Sequence, residues 1–214
     1  VALALAELAP GLPWNDDRFD AFKRIGGFNN DFRLTAAALG LFEAGALDRL
    51  EQGGPFPDLE PRFRELEPIV QPVVQRHYAS TRCLERPLAT LEELRSLAWE
   101  TAILTGRPPK ELELAFQVLG FRLPAVPDAG PHLRKPSPGG LLQLADAFGA
   151  ASVVFAGDTV DDARCLRSAR ALAPSIAWTF AAIGPGRSRF AEPEDLQSPS
   201  LRELLPMLSL EARA

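Results

Sequence analysis

The stretch from Ser152 to Asp162, SVVFAGDTVDD, decides the fold predicted for this chain. Its first residues are apolar on consecutive positions, which is typical of a strand buried on both faces of a parallel sheet. Gly157 ends the strand, and carboxylates follow it at Asp158, Asp161 and Asp162. Open α/β sheets bind ligands at the carboxyl ends of their strands, so these acids indicate a bound cation.

The composition excludes several classes of protein. With 46% hydrophobic and 24% charged residues, the 214-residue chain has an ordinary globular composition. A net charge of −5 and the lack of a basic stripe argue against nucleic-acid binding. No apolar run approaches the ~18 residues of a membrane span, and the N-terminus lacks the features of a signal peptide. We therefore expect a cytoplasmic protein that binds neither nucleic acid nor membranes.

Residues 1–86 predict a small domain made only of helices. Apolar residues recur there at helical spacing, and no stretch has the pattern of a buried strand. We expect Asp31 to cap one of these helices, and we expect Pro68 and Pro72 to kink or interrupt the long helical stretch of residues 62–84.

Residues 87–214 alternate predicted strands with helices, which is typical of a parallel sheet wound by right-handed crossovers. The first helix opens with a capping box of Thr90 and Glu93. The expected strands are residues 101–104, 125–126, 152–156 and 175–180. The predicted fold class is therefore α/β, with a Rossmann-like core following a separate all-helical domain.

Three polar clusters follow predicted strands or precede helices, so we expect them to meet at one edge of the sheet. In the first, the Thr105 hydroxyl and nearby backbone N–H groups suit a phosphate oxygen, although a threonine before glycine is also a common helix cap. In the second, Lys135 offers a compact positive charge for an anionic group. Only three of the 23 cationic residues are lysine, which favours a chemical role for this one.

The third cluster contains Asp158 and Asp162, whose carboxylates can hold Mg²⁺, a cation that takes oxygen ligands and keeps several waters. The alternative is that both acids only stabilise the positive end of the next helix. Three acids after a buried strand favour the metal.

The order of these clusters along the chain is informative. A threonine, then Lys-Pro, then GDxxxD, each at a strand end, resembles motifs two, three and four of the haloacid dehalogenase superfamily of phosphotransferases. The resemblance covers roughly residues 89–214 and is most specific at GDTVDD. It implies a Mg²⁺ cofactor, a small phosphorylated substrate and a subfamily I protein in which residues 1–86 form a helical C1-type cap over a core of residues 87–214.

The resemblance also implies roles for single residues. It assigns phosphate binding to Thr105, Gly106, Arg107 and Lys135. Asp158 would bind Mg²⁺, and Asp162 would take part in the metal site or orient Lys135. Thr105, Lys135 and Asp162 would form the catalytic set of this chain. Asp161 is the weaker metal candidate, because the family pattern places its second acid four positions after the first.

In the helical domain, a polar loop and the helix before it supply candidates for contacts with the rest of the substrate. These candidates are Lys23, Arg24, Asn29, Asn30 and Asp31. A polar turn with a helix cap is an equally good interpretation of the loop.

One family motif is absent. By resemblance, the first motif is a strand followed by DxDG, whose first aspartate attacks phosphorus and whose second is the general acid and base. No DxDG occurs in this sequence. That strand is central in the family's sheet, so the strands ending at Thr105 and Asp158 would flank a gap. We expect the natural protein to have one more strand and an acidic loop before Val1. The alternative explanation for the missing motif is a degenerate protein that has lost catalysis.

The leading hypothesis is a Mg²⁺-dependent phosphomonoester hydrolase that works through an aspartyl-phosphate intermediate. A non-catalytic phosphate-binding or interaction protein on the same fold is the alternative from another class. A phosphomutase or phosphonate hydrolase is a related alternative, and the latter would use a cap lysine, for which Lys23 is the only candidate. The natural substrate and the oligomeric state stay open.

Overall fold

The structure is a computed structural model that describes residues 1–211. The chain forms two compact units, one of Val1–Leu84 and the other beginning at Glu85. The first unit is all helical, and its elements are α1 (Ala2–Leu8), α2 (Asp16–Ile25), α3 (Asp31–Glu43), α4 (Asp48–Glu51), α5 (Glu60–Thr81) and a short 3₁₀ turn (Arg82–Leu84).

The core of the first unit lies around α3, which packs along α5. Most of α3 is buried, since small and apolar residues fill it from Phe32 to Leu41. Gly40 allows the closest approach, because a Cβ atom there would lie 2.8 Å from a ring carbon of Phe63. Aromatic rings extend this core through contacts of Phe22 with Phe28 at 4.9 Å and of Phe56 with Phe63 at 6.2 Å between ring centroids.

Two local expectations for this unit differ from the structure, namely the residue that caps α3 and the interruption of the long helix at its prolines. The cap of α3 is Asn30, whose side chain accepts hydrogen bonds from two backbone N–H groups, and Asp31 is the first helical residue. Helix α5 continues through Pro68 and Pro72 without a break. Both prolines lie on its exposed face, so the backbone carbonyls that lose their partners face water, while the buried stripe packs on α3.

The second unit is a Rossmann-like α/β core. Its helices are α6 (Leu91–Arg95), α7 (Pro109–Leu119), α8 (Gly139–Ala147), α9 (Val160–Leu172) and α10 (Leu201–Glu211), and its strands are β1 (Ile103–Leu104), β2 (Ala125–Val126), β3 (Ser152–Gly157), β4 (Ala177–Ile183) and β5 (Leu196–Ser198). The capping box of Thr90 and Glu93 opens α6 as predicted. Strand β4 runs three residues beyond its predicted end, and β5 was not predicted.

The strands form two parallel sheets rather than one. Strands β1 and β2 pair with each other, and the second sheet has the order β3-β4-β5. Strands β1 and β3 therefore do not pair with each other. Helix α8 contacts β2, which belongs to the first sheet, and it also contacts α9, which packs on β3 and β4 of the second sheet.

Alternate side chains of β3 and β4 enter two cores on opposite faces of their sheet. Phe155 and Phe180 pack with α8 and α9 on one face. Val154 and Ala181 pack with α6 and α10 on the other. This burial on both faces explains the unbroken apolar run at the start of SVVFAGDTVDD. Within residues 1–211, no helix is both long enough and apolar enough to cross a bilayer.

Candidate active site

The turn from β3 into α9 places the acidic residues of the predicted site. Thr159 caps α9 and forms a capping box, in which its Oγ1 accepts from the backbone N–H of Asp162 at 3.3 Å. In return, Asp162 Oδ2 accepts from the backbone N–H of Thr159 at 3.1 Å and from its hydroxyl at 2.6 Å. A Cβ atom on Gly157 would come within 2.7 Å of Asp162 Cγ, so glycine is required for this close approach.

Lys135 and Asp162 form a buried ion pair. Lys135 Nζ lies 2.6 Å from Asp162 Oδ1, and the two side chains are 13% and 2% exposed. Burial by itself lowers the pKa of Lys135. The charge and hydrogen bond of Asp162, with a further contribution from Asp158, outweigh burial, so the pKa of Lys135 is raised above its ordinary value. The side chain is therefore a fixed cation at neutral pH.

Asp158 differs from Asp162 in its surroundings. Its side chain is exposed, and its Cβ lies 3.9 Å from the position that a Cβ on Gly184 would occupy, just after the end of β4. Asp158 thus lies where the carboxyl ends of β3 and β4 meet, close enough to Lys135 to act on its charge. Both carboxylate oxygens of Asp162 accept hydrogen bonds from the protein, which leaves Asp158 better suited to an incoming cation.

The residues present fit part of a Mg²⁺ site. Among residues 1–211, no group of three or more His, Cys, Asp or Glu side chains is arranged to hold a metal ion. Mg²⁺ usually keeps several waters and uses only one or two carboxylates. The exposed carboxylate of Asp158 fits that requirement, and the further ligands of such an ion would come from water, substrate or a group outside this set. The metal-binding role of Asp162 stays a prediction.

Thr105 and Arg107 form a turn at the end of β1. The Thr105 hydroxyl oxygen accepts from the backbone N–H of Arg107 at 3.2 Å and so closes this turn. It does not cap a helix, because the N-cap of α7 is Pro108, which has no side-chain cap hydrogen bond. Arg107 also holds Glu85 through its guanidinium at 2.7 Å. The Thr105 N–H donates to the Val126 carbonyl at 3.1 Å, so β2 fixes the start of this turn. Gly106 lies at its centre, partly buried.

The buried carboxylate of Asp128 follows the carboxyl end of β2, next to the turn that follows β1. It was not predicted as a site residue. Its backbone N–H donates to the Arg107 carbonyl at 3.0 Å, and its Oδ2 accepts from Arg134 Nε at 2.7 Å. The sequence does contain a signal for Asp128, namely its position. It comes two residues after the end of β2, much as Asp158 directly follows β3. The loop after β4, which contains Gly184, likewise follows a strand and was not predicted to belong to the site.

The thiol of Cys165 lies near the ion pair of Lys135 and Asp162. Burial raises its pKa to about 12, although Lys135 acts in the opposite direction. Its Sγ donates to the Ser137 carbonyl at 3.3 Å and so joins α9 to the segment before α8. The protonated thiol has a packing role, which agrees with the absence of any metal-binding spacing around it.

The candidates in the helical unit are held by local contacts. Lys23 Nζ donates to the Phe28 carbonyl at 3.5 Å and lies 5.1 Å from the ring centroid of Phe19. Asn30 caps α3, while Arg24 and Asp31 are exposed. Asn29 lies in the loop before that cap. The contacts of Lys23 and Asn30 fit the interpretation of a capped polar turn, and substrate contacts by this loop stay a prediction.

A comparison with known protein families places the chain. The family model described as haloacid dehalogenase-like hydrolase matches residues 1–170. The match includes the helical unit as well as Thr105, Lys135 and the turn from Asp158 to Asp162, so it begins earlier in the chain than the motifs alone suggest. No curated protein and no solved structure matches the chain. With the ion pair and its neighbouring acid at the strand ends, this match shows that the chain belongs to the haloacid dehalogenase-like hydrolases.

Proposed function

We propose that the protein is a Mg²⁺-dependent hydrolase of a small phosphorylated metabolite. The observation that carries the proposal is the buried pair of Lys135 and Asp162 beside the exposed Asp158, at the carboxyl end of the apolar strand β3 in a hydrolase of this family. A fixed cation and an exposed carboxylate can together hold a phosphate group and its counterion.

Lys135 is the residue of this chain that faces the phosphoryl charge in the proposal. Its ammonium group has little rotational freedom, because Asp162 holds it and the surrounding side chains bury it. Such a preorganised charge stabilises developing negative charge without reorganisation at the moment of reaction. Thr105 and the backbone of Gly106 bind phosphoryl oxygens beside it.

Asp158 holds the metal ion in the proposal, directly or through water. Mg²⁺ supplies charge neutralisation to the phosphoryl oxygens when it is bound. The charge of Asp158 contributes to the raised pKa of Lys135, which supports a site in which the two side chains act on one phosphate group.

The nucleophile of the proposed reaction does not come from this chain. No two aspartates of the sequence stand two positions apart, and β1 and β3 do not pair with each other. The proposal assigns the nucleophile to an additional strand between β1 and β3. A carboxylate oxygen there forms the bond to phosphorus, the ester oxygen leaves with a proton from the second aspartate, and water then hydrolyses the acyl phosphate.

The test uses the full-length protein and p-nitrophenyl phosphate. We expect phosphate release with Mg²⁺ and none with excess EDTA, and we expect Asp158→Ala to reduce kcat at least about a hundredfold. Asp146→Ala, which changes an exposed aspartate of α8, is the matched control and should leave kcat unchanged. Full activity of the 214-residue chain alone would overturn the mechanism, because these residues lack the proposed nucleophile.

A non-catalytic phosphate-binding protein is the second candidate, favoured by the missing Asp-x-Asp pair. It predicts that the full-length protein binds inorganic phosphate in calorimetry and releases none from any ester. The first motif of the full-length protein discriminates cheaply, since asparagine or glycine in place of its first aspartate would favour the binder.

A further inference from the structure

The segment between β2 and α8 carries Lys135, and one of the ion pairs that hold this segment is anchored at a point within the segment itself. That point is Asp128, whose side chain is 2% exposed and whose Oδ2 accepts from Arg134 Nε at 2.7 Å. Arg134 directly precedes Lys135 in the chain. The guanidinium that Asp128 holds is therefore one residue away from the ammonium group that Asp162 holds.

The buried environment makes this attachment strong. Asp128 Oδ1 is buried and has no hydrogen-bond partner among the described residues, so the carboxylate has Arg134 as its neutralising contact. A buried carboxylate is costly unless it is paired, so the loop cannot release Arg134 without a large penalty. The Arg134 backbone N–H also donates to the Gly130 carbonyl at 3.0 Å, which keeps the segment compact.

Asp128 is joined to the phosphate-binding turn as well. Its backbone N–H donates to the Arg107 carbonyl at 3.0 Å, and the Arg107 N–H in turn donates to Thr105 Oγ1. One residue thus connects the turn at the end of β1 with the segment that carries Lys135.

We propose that Asp128 is a positioning residue, which holds Arg134 so that Lys135 reaches Asp162 and stays in register with the Thr105 turn. An ion pair that merely stabilised the fold would not control the environment of one particular lysine. The catalytic meaning of the inference rests on the proposed function, but the position of Lys135 can be measured without any activity.

The low lysine content makes that measurement direct. The chain contains only Lys23, Lys110 and Lys135, so mass spectrometry after brief treatment with acetic anhydride gives a separate rate for each. The reagent reacts with neutral, accessible amines. Lys135 should therefore react far more slowly than the exposed Lys110, which is the internal reference.

We expect Asp128→Ala and Arg134→Ala each to raise the rate of Lys135 relative to Lys110 by about tenfold, as expected when hydrogen bonding to a charged group is lost. The double variant should raise it no further, because both changes break the same attachment. Glu113→Ala is the matched control, since it breaks the exposed pair of Arg122 and Glu113 in the same unit and should leave Lys135 unchanged.

Far-UV circular dichroism and thermal unfolding of each variant show whether it is folded. If Asp128→Ala does not fold, Arg134→Ala decides, because it removes a side chain that is 44% exposed. An unchanged ratio of Lys135 to Lys110 rates in folded Arg134→Ala overturns the inference. Failure of the proposed function appears elsewhere, as no phosphate release by the unsubstituted full-length protein, and leaves the labelling result standing.

Discussion

Asp162 makes two contacts that the candidate site needs, because it pairs with Lys135 and also closes the capping box with Thr159. We expect Asp162→Asn to lower the free energy of unfolding by about 3 to 5 kcal/mol, since it leaves a buried ammonium group without its counter-charge. Chemical denaturation of the 214-residue chain measures the change.

The matched control for this prediction is Asp146→Asn, the same substitution at an exposed aspartate of α8. It should stay within about 0.5 kcal/mol of the unsubstituted chain. Equal effects of the two substitutions would show that the Lys135–Asp162 pair contributes nothing beyond a surface charge.

Some features of the candidate site can be predicted from short sequence patterns, whereas others depend on how distant segments fold together. The sequence indicates Lys135, Asp158 and Asp162 as candidates because a Lys-Pro pair before a helix and two acids after a strand follow a recognisable order and spacing. The pairing of Asp128 with Arg134 was not found, because it depends on how the loop after β2 folds back. Which oxygen of Asp162 holds Lys135 likewise depends on the three-dimensional path of two separate segments.

At the scale of single elements, the packing of β3 against α9 depends on Gly157. We expect Gly157→Ala to destabilise the chain by about 1 to 3 kcal/mol, because its Cβ would overlap Asp162 and force the first turn of α9 away from the strand. The same shift should separate Asp162 from Lys135, so the acetylation rate of Lys135 should rise relative to Lys110.

Gly186→Ala is the control for this substitution. Gly186 has a negative φ of −91°, and no atom lies within 4 Å of the Cβ that alanine would add. It should change neither the stability nor the lysine labelling. A Gly157→Ala variant that behaves like Gly186→Ala would show that the close approach of β3 and α9 is dispensable.

Elements were predictable where their signals are local. The capping box at Thr90 and the apolar run of β3 are of this kind, and both appear where expected. Strand β5, with the sequence LQS, has no apolar pattern of its own and exists because β4 offers it a parallel edge. Helix α5 tolerates two internal prolines because α3 packs along its other face, which is a tertiary effect.

At the scale of the whole molecule, the chain contains two units that differ in how their cores are built. The core of the first unit is built entirely from residues within Val1–Leu84. The second unit has its strands divided between two sheets. The α/β class followed from the alternation of strands and helices, whereas this division reflects pairing that no local pattern encodes.

The self-contained core of the first unit leads to a prediction about a fragment. We expect residues 1–84 to fold alone, with a helical circular dichroism spectrum and a cooperative thermal transition, because apolar side chains from α1 to α5 bury one another. Phe63→Ala should abolish that transition, since loss of a fully buried phenylalanine costs about 3 to 5 kcal/mol, comparable to the whole stability of a small domain. Ile69→Ala, on the same helix but 55% exposed, should leave the transition nearly unchanged. A fragment that lacks a cooperative transition, or that loses it equally with either substitution, would show that the first unit depends on the rest of the chain to fold.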